Sequence, residues 1–297
     1  MNYADTIEVK DIIKRALKED IGRGDITTGK LISKDIKIGA VIQANERGII
    51  CGIDIARLVF KLLDNRIKFS PLVKDGDRVT KGRTLIKLSG LASNILSSER
   101  VALNFLGFLS GIATRTREFI VGVRPYNIKI MDTRKTLPGL RKLEKYAVKI
   151  GGGCNHRYGL DEMVLVKDNH IRVMGYGLWV MGLGEKIRKI KREVPSRVKI
   201  EVEVNNLKEF EEALKGKPDI IMLDNMKVAE VERCVRLRNN LKSKIYNLTP
   251  KLEASGNINF KNIRDYAATG IDFISLGTLT KDIQSLDISL EVERYYT

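Results

Sequence analysis

Both histidines of this 297-residue chain stand in one stretch, GGGCNHRYGLDEMVLVKDNHI (151–171), together with Arg157 and Lys167. Neither HxxxH nor HExxH spacing is present, so His156 and His170 do not read as a zinc pair. The glycines ahead of His156 and Arg157 suit a turn that lets both side chains enter a cleft, and His170 is assigned a supporting or structural place. Further polar residues recur at the ends of apolar runs: Asp132, Arg134 and Lys135 after NIKIM, Lys167 in EMVLVK, Glu201 and Glu203 in KIEVEV. Asp224 closes DIIMLD, Ser255 follows KLEA, and Gly277 follows FISL. Taken singly, Asp224 reads equally well as a helix cap and Asp132 or Asn169 as turn formers. Capping does not account for an inward lysine and two inward glutamates, which are costly to bury unless something pairs with them. A site holding Arg134, Lys135, His156, Arg157 and Lys167 against Glu203 and Asp224 suits a substrate with several carboxylates or phosphates, and a divalent cation on the acids.

The elements that must position these residues are legible from about residue 120 onward. Apolar runs at 127–135, 162–169, 198–204, 219–225, 251–256 and 272–278 predict strands. Between them GLRKLEKYAVKI, LGEKIRKIKREV, NLKEFEEALKG, VAEVERCVRLRNNLK and NFKNIRDYAATG have helical periodicity. Such alternation predicts parallel α/β architecture, best explained by a barrel. Period-two counting then turns Glu201, Glu203 and Asp224 inward, with Asp132 and Arg134 following Ile130, and barrel sites lie where strands end. The first hundred residues differ. A helix over TIEVKDIIKRALKED precedes IGRGDITTGKLI and glycine-rich strands, and VKDGDRVTKGRTLIKLSG has the spacing of a hairpin from a biotinyl or lipoyl domain. No modifiable lysine stands at its tip, so a structural hairpin is predicted. A long helix over 97–120 joins the two parts.

Composition bounds the partners. At 43 % hydrophobic the chain has a real core, and its net charge of +16 asks for an anionic partner. The basic runs at 186–194 and 233–244 have helical spacing and read as solvated faces, without the aromatic interleaving of single-strand binders, so no nucleic-acid partner is expected. No apolar run is long enough for a membrane span, and the N-terminus lacks a signal pattern, so a cytoplasmic protein with no membrane partner is expected. Cys51, Cys154 and Cys234 form no CxxC pair and are expected to be reduced.

As a set, EDIGRGDITT (19–28), SERVALNFLGFLSGIAT (98–114), DTRKTLPGLR (132–141), GGGCNHRYGL (151–160), LVKDNHI (165–171), EVEV before DIIMLDN, LEASGNI (252–258) and FISLGTLT (273–280) resemble the quinolinate phosphoribosyltransferase family. The resemblance covers nearly the whole chain in order. It implies an N-terminal α/β sandwich (1–107), an incomplete parallel α/β barrel (108–280) and a tail (281–297) returning to the first domain. It also implies a glycosyltransferase of NAD biosynthesis that joins quinolinate to phosphoribosyl pyrophosphate, with magnesium and no organic cofactor. Carried over residue by residue, Arg134, His156, Arg157 and Lys167 would meet the quinolinate carboxylates, with Arg100 reaching in from the other subunit of a homodimer. Lys135, Glu203 and Asp224 would be catalytic, the two acids also holding magnesium. Ser255, Gly256, Asn257, Gly277 and Thr278 would take phosphoribosyl pyrophosphate. Asn257 departs from the SGG common at its place, and residues 173–182 are unusually apolar, which suggests an interface. A related subgroup encoded with molybdate transport shares much of the pattern; the intact NHR and TRK motifs favour quinolinate.

Overall fold

The computed structural model describes residues 6–175, 182–242 and 249–296. In chain order the first elements are α1 (Ile7–Ile21), α2 (Ile26–Leu31), β1 (Lys37–Ala44), β2 (Gly48–Ile49), α3 (Ile53–Leu63), β3 (Lys68–Pro71), β4 (Arg78–Val79), β5 (Thr84–Leu91) and α4 (Ala92–Gly122). They are followed by β6 (Lys129–Met131), α5 (Arg141–Ile150), β7 (Val164–Val166), α6 (Asp168–Gly175), α7 (Leu183–Glu193), β8 (Ile200–Val204), α8 (Leu207–Gly216) and β9 (Ile220–Asp224). The last are α9 (Val228–Lys242), β10 (Lys251–Ser255), α10 (Ile263–Ala268), β11 (Phe273–Ser275), α11 (Thr278–Lys281) and β12 (Ile288–Tyr296). The chain divides into two compact units: Met1–Arg117 with Thr136–Gly152 and Leu279–Thr297, and Glu118–Lys135 with Gly153–Thr278. Most of the apolar segment 173–182 lies outside the described residues.

The first unit is built on a four-stranded sheet in the order β12-β1-β5-β3. β1 is flanked on both sides by antiparallel partners, and Ile38, Ala40, Val41 and Ile42 are buried. α1 buries Val9, Ile12, Ile13 and Leu17, one face of a helix with period 3.6. The expected hairpin over 73–90 does not fold on itself. β4 pairs with β2, and β5 pairs with β1 and β3. The glycine-rich turn is instead tied to the segment before α3: Asp75 accepts the backbone N–H groups of Gly52 and Ile53 at 3.0 and 2.9 Å, satisfying the exposed donors of that helix start. α2 also lies where sequence patterning shows only a loop. Asp25 caps it, accepting from the Thr28 N–H at 2.9 Å and the Thr28 hydroxyl at 2.6 Å, a cap worth about 1 kcal/mol.

The second unit holds a six-stranded parallel sheet in the order β6-β11-β10-β9-β8-β7, unclosed because β6 and β7 are its two edges. Each strand lies within the run expected for it. Val202, Val204, Ile221, Leu223, Leu252, Ala254 and Ile274 are fully or almost fully buried, as are Phe210 and Ala213 of α8 and Val231 and Cys234 of α9. Burying each large apolar side chain contributes about 1.5–3 kcal/mol. Lateral register places the alternate residues at common levels: Glu203 beside Met222 and Met222 beside Glu253, then Asp224 beside Ser255 and Ser255 beside Ser275. These form the inner face of the sheet. At β6 the parity differs from the sequence expectation, because Met131, not Ile130, is level with Ser275.

Candidate active site at the strand ends

The ends of the parallel strands surround a cavity of about 460 Å³ within the second unit. Arg134 and Lys135 reach it from the segment after β6, together with Thr133, whose hydroxyl accepts the Lys135 N–H at 3.0 Å. His156 and Arg157 enter from the turn before β7, Lys167 from just beyond β7, and Glu203 and Asp224 from β8 and β9. Ser255, Gly256 and Asn257 line it after β10. Ten of the candidates named from sequence thus share one cavity, and both signs of charge are present as the inward count requires.

Electrostatics inside the cavity are those of crowded charges of both signs. Lys167 Nζ donates to Glu203 Oε2 at 3.3 Å. Burial nonetheless raises the Glu203 carboxyl above the usual range; Lys167 opposes that shift and the charge on Asp224 adds to it. Arg157 is buried and its pKa is lowered, first by desolvation and then by the neighbouring Arg134. Two guanidinium groups held close against their own repulsion form a ready receptor for a polyanion. The Arg157 fork is oriented by donation from Nη1 to the Met163 carbonyl at 2.9 Å.

Beneath the cavity lies a layer that sequence reading did not separate from the site itself. Asp132 is fully buried and does not line the cavity; its Oδ1 accepts the His156 N–H at 2.8 Å. Glu201 and Glu253 are also fully buried, and His156 Nε2 lies 2.9 Å from Glu201 Oε2 and 3.8 Å from Glu253 Oε2. Burial pushes Glu201 up to about 7. Burial and the neighbouring Glu201 charge push Glu253 up to about 8. The three side chains offer atoms within 4.8 Å of one another, close enough for metal ligands. The imidazole speaks against that use. Its Nδ1 accepts the Arg157 N–H at 2.8 Å, so the proton of a neutral ring sits on Nε2, facing the carboxyl groups. A metal-ligating histidine has the reverse arrangement, with its N–H turned away from the ion.

The remaining candidates lie apart from the cavity lining. Gly277 packs beside Lys135, where a Cβ would stand 3.1 Å from the lysine Cδ, and Thr278 begins α11. His170 is exposed, and its Nδ1 accepts the Lys167 N–H at 2.9 Å, a local brace for that lysine's backbone. Arg100 belongs to the first unit, where it lines a cleft with Gly107 and Asp287. Thr133 and Asn225 line the cavity and were not singled out from sequence; their signal was position, each adjoining a charged strand-end residue.

Comparison with known proteins shows the family and the fold. Residues 25–110 and 112–291 match the family models described as the N-terminal and C-terminal domains of quinolinate phosphoribosyl transferase. A probable carboxylating nicotinate-nucleotide pyrophosphorylase of Methanocaldococcus jannaschii is 43 % identical over 286 residues, covering 96 % of this chain and 97 % of that protein. The carboxylating nicotinate-nucleotide pyrophosphorylase of Mycobacterium leprae is 38 % identical over 288 residues, 95 % of this chain and 96 % of the other. Among solved structures, the nicotinate-nucleotide pyrophosphorylase of Francisella tularensis superposes with a TM-score of 0.86 at 38 % identity, covering 96 % of both chains. The chain belongs to the quinolinate phosphoribosyltransferase family.

Proposed function

We infer that the chain transfers the phosphoribosyl group of phosphoribosyl pyrophosphate to quinolinate and decarboxylates the adduct, giving nicotinate mononucleotide, pyrophosphate and carbon dioxide for NAD biosynthesis. The observation that carries this reading is the convergence of Arg134, Arg157 and Lys167 with Glu203 and Asp224 in one cavity. Quinolinate is a planar dianion. Arg134 and Arg157 present forks matched to carboxylates, Lys167 adds a point charge, and His156 forms the wall beside Arg157. That grip holds the ring nitrogen toward the ribose, converting an encounter into an oriented reaction.

Glu203 and Asp224 serve the ribose and magnesium side. Two carboxylates that face one cavity and repel each other are a fitting donor set for magnesium, which takes one or two carboxylates and shares the rest of its shell with phosphates and water. When bound, magnesium supplies positive charge to the departing pyrophosphate. The same carboxylates stabilise positive character developing on the ribose, while Lys135 attracts the pyrophosphate. Ser255, Gly256 and Asn257 after β10, with Gly277 and Thr278 after β11, provide backbone for phosphate oxygens. Once the ring nitrogen is quaternised, its positive charge stabilises the electron pair left on the adjacent ring carbon as the carboxylate departs as carbon dioxide, and that carbon then takes a proton from water. Arg100 acts from a second subunit of a homodimer, and the enzyme works in the cytoplasm.

The decisive assay compares nicotinate mononucleotide formation from quinolinate and from nicotinate, in wild type and Arg157→Ala. Quinolinate should be preferred, and the substitution should raise KM for quinolinate far more than for phosphoribosyl pyrophosphate. Faster turnover of nicotinate, or equal loss toward both substrates, overturns the reading.

A further inference from the structure

Asn257 is joined to Asp224 through the side-chain amide of Asn225. Asn257 Nδ2 donates to Asn225 Oδ1 at 2.9 Å, and Asn225 Nδ2 donates to Asp224 Oδ2 at 2.7 Å. The Asp224 oxygen accepts from the Asn225 amide nitrogen, which turns the amide oxygen away, and a donor then completes the row. Both asparagines hold left-handed backbone, with φ of 54° at Asn225 and 53° at Asn257, a conformation asparagine tolerates better than other residues with side chains. Gly256 makes room between them: a Cβ there would stand 2.3 Å from Asn225 Oδ1.

The amides are not needed to hold the loops. The Asn225 N–H already donates to the Ser255 carbonyl at 2.8 Å, and Asn262 Nδ2 donates to the Asn257 carbonyl at 3.1 Å. What the side-chain row adds is a fixed orientation for the Asp224 carboxylate, one of whose oxygens it occupies. We propose that the Asn257 side chain is a positioning group that acts through Asn225 to orient Asp224 toward the cation and ribose, while the backbone of its loop remains for phosphate oxygens. The proposal rests on the reading of Asp224 as a ligand of magnesium and ribose.

Asn257→Gly removes one link and Asn225→Gly removes both, each placing at a positive φ the residue most at ease there. Binding of manganese as a magnesium substitute, followed by loss of the free-ion paramagnetic resonance signal in the presence of phosphoribosyl pyrophosphate, gives a readout independent of turnover. Each substitution should weaken manganese binding, Asn257→Gly by about three- to ten-fold, the worth of one ordinary hydrogen bond, with KM for quinolinate unchanged. The double variant should be no weaker than Asn225→Gly alone, because a link acting through Asn225 has nothing left to act on. Additive losses, or unchanged binding in Asn257→Gly, overturn the proposal. Asp224→Asn separates the two readings. If it weakens manganese binding and Asn257→Gly does not, only the positioning role falls; if it has no effect, both fall. Should Asn225→Gly fail to fold, Asn257→Gly alone decides.

Discussion

Glu253→Gln should make the protein more stable at neutral pH, and the gain should disappear in acid. Glu253 is fully buried in the inner face of the parallel sheet, and its carboxyl is raised from 4.5 to about 8 by burial and by Glu201. Below pH 4.5 the group is protonated in both folded and unfolded chains and contributes nothing to the balance. As pH rises past 4.5 the unfolded chain releases its proton while the folded chain keeps it, so folding becomes less favourable until the folded group also ionises near 8. Between 4.5 and neutrality the loss accumulates at about 1.4 kcal/mol per pH unit, reaching roughly 3 kcal/mol at pH 7. Glutamine keeps the shape and has no proton to lose. Urea unfolding of both proteins at a fixed protein concentration, followed by circular dichroism at several pH values, measures the difference directly. The variant should match the wild type near pH 4 and exceed it by about 3 kcal/mol near pH 7. A difference that is flat with pH, or that favours the wild type at neutrality, would refute the assignment of Glu253 as a buried carboxyl held in its protonated form.

Asp224→Asn should depress turnover and raise the magnesium concentration needed for half-maximal activity while the unfolding midpoint stays put; intact activity would return Asp224 to the role of a helix cap. Arg100→Ala and Arg134→Ala should each be inactive alone, yet subunit exchange between them should restore about a quarter of wild-type activity, since about half the dimers are mixed and each mixed dimer has one intact site. No recovery after verified exchange would mean that Arg100 acts within its own subunit or only structurally.

Strand positions in the second unit were legible because apolar runs ended in charges and alternated with helical periodicity. Depth along those strands was not. Glu201 and Glu203 share one parity, yet two residues of rise, about 6.6 Å, put one in the cavity lining and the other in the buried layer beneath it. Asp132 shows the same limit from the other side: a count begun at Ile130 turned it toward the site, whereas the end of β6 at Met131 releases the chain and lets the His156 N–H capture its carboxylate. In the first unit the hairpin pattern was read locally, but β5 pairs with β1 and β4 with β2, partners distant in sequence that a local reading does not reach. The helix at Asp25 was hidden by its glycines, which have poor helix propensity, and a cap of two hydrogen bonds outweighs them.

The pairing of β1 with β12 sets a clock on biosynthesis. β1 is made early, and the strand that covers one of its sides is the last of the chain, roughly 240 residues later. At about 5–20 residues per second a ribosome needs roughly 12 to 50 s to cover that distance. Throughout that interval β1 presents an open row of backbone donors and acceptors beside the apolar side chains of Ile38, Val41 and Ile42, the kind of edge that recruits a strand from another molecule. On a polysome, a neighbouring nascent chain that offered a matching strand would meet that edge before β12 is made.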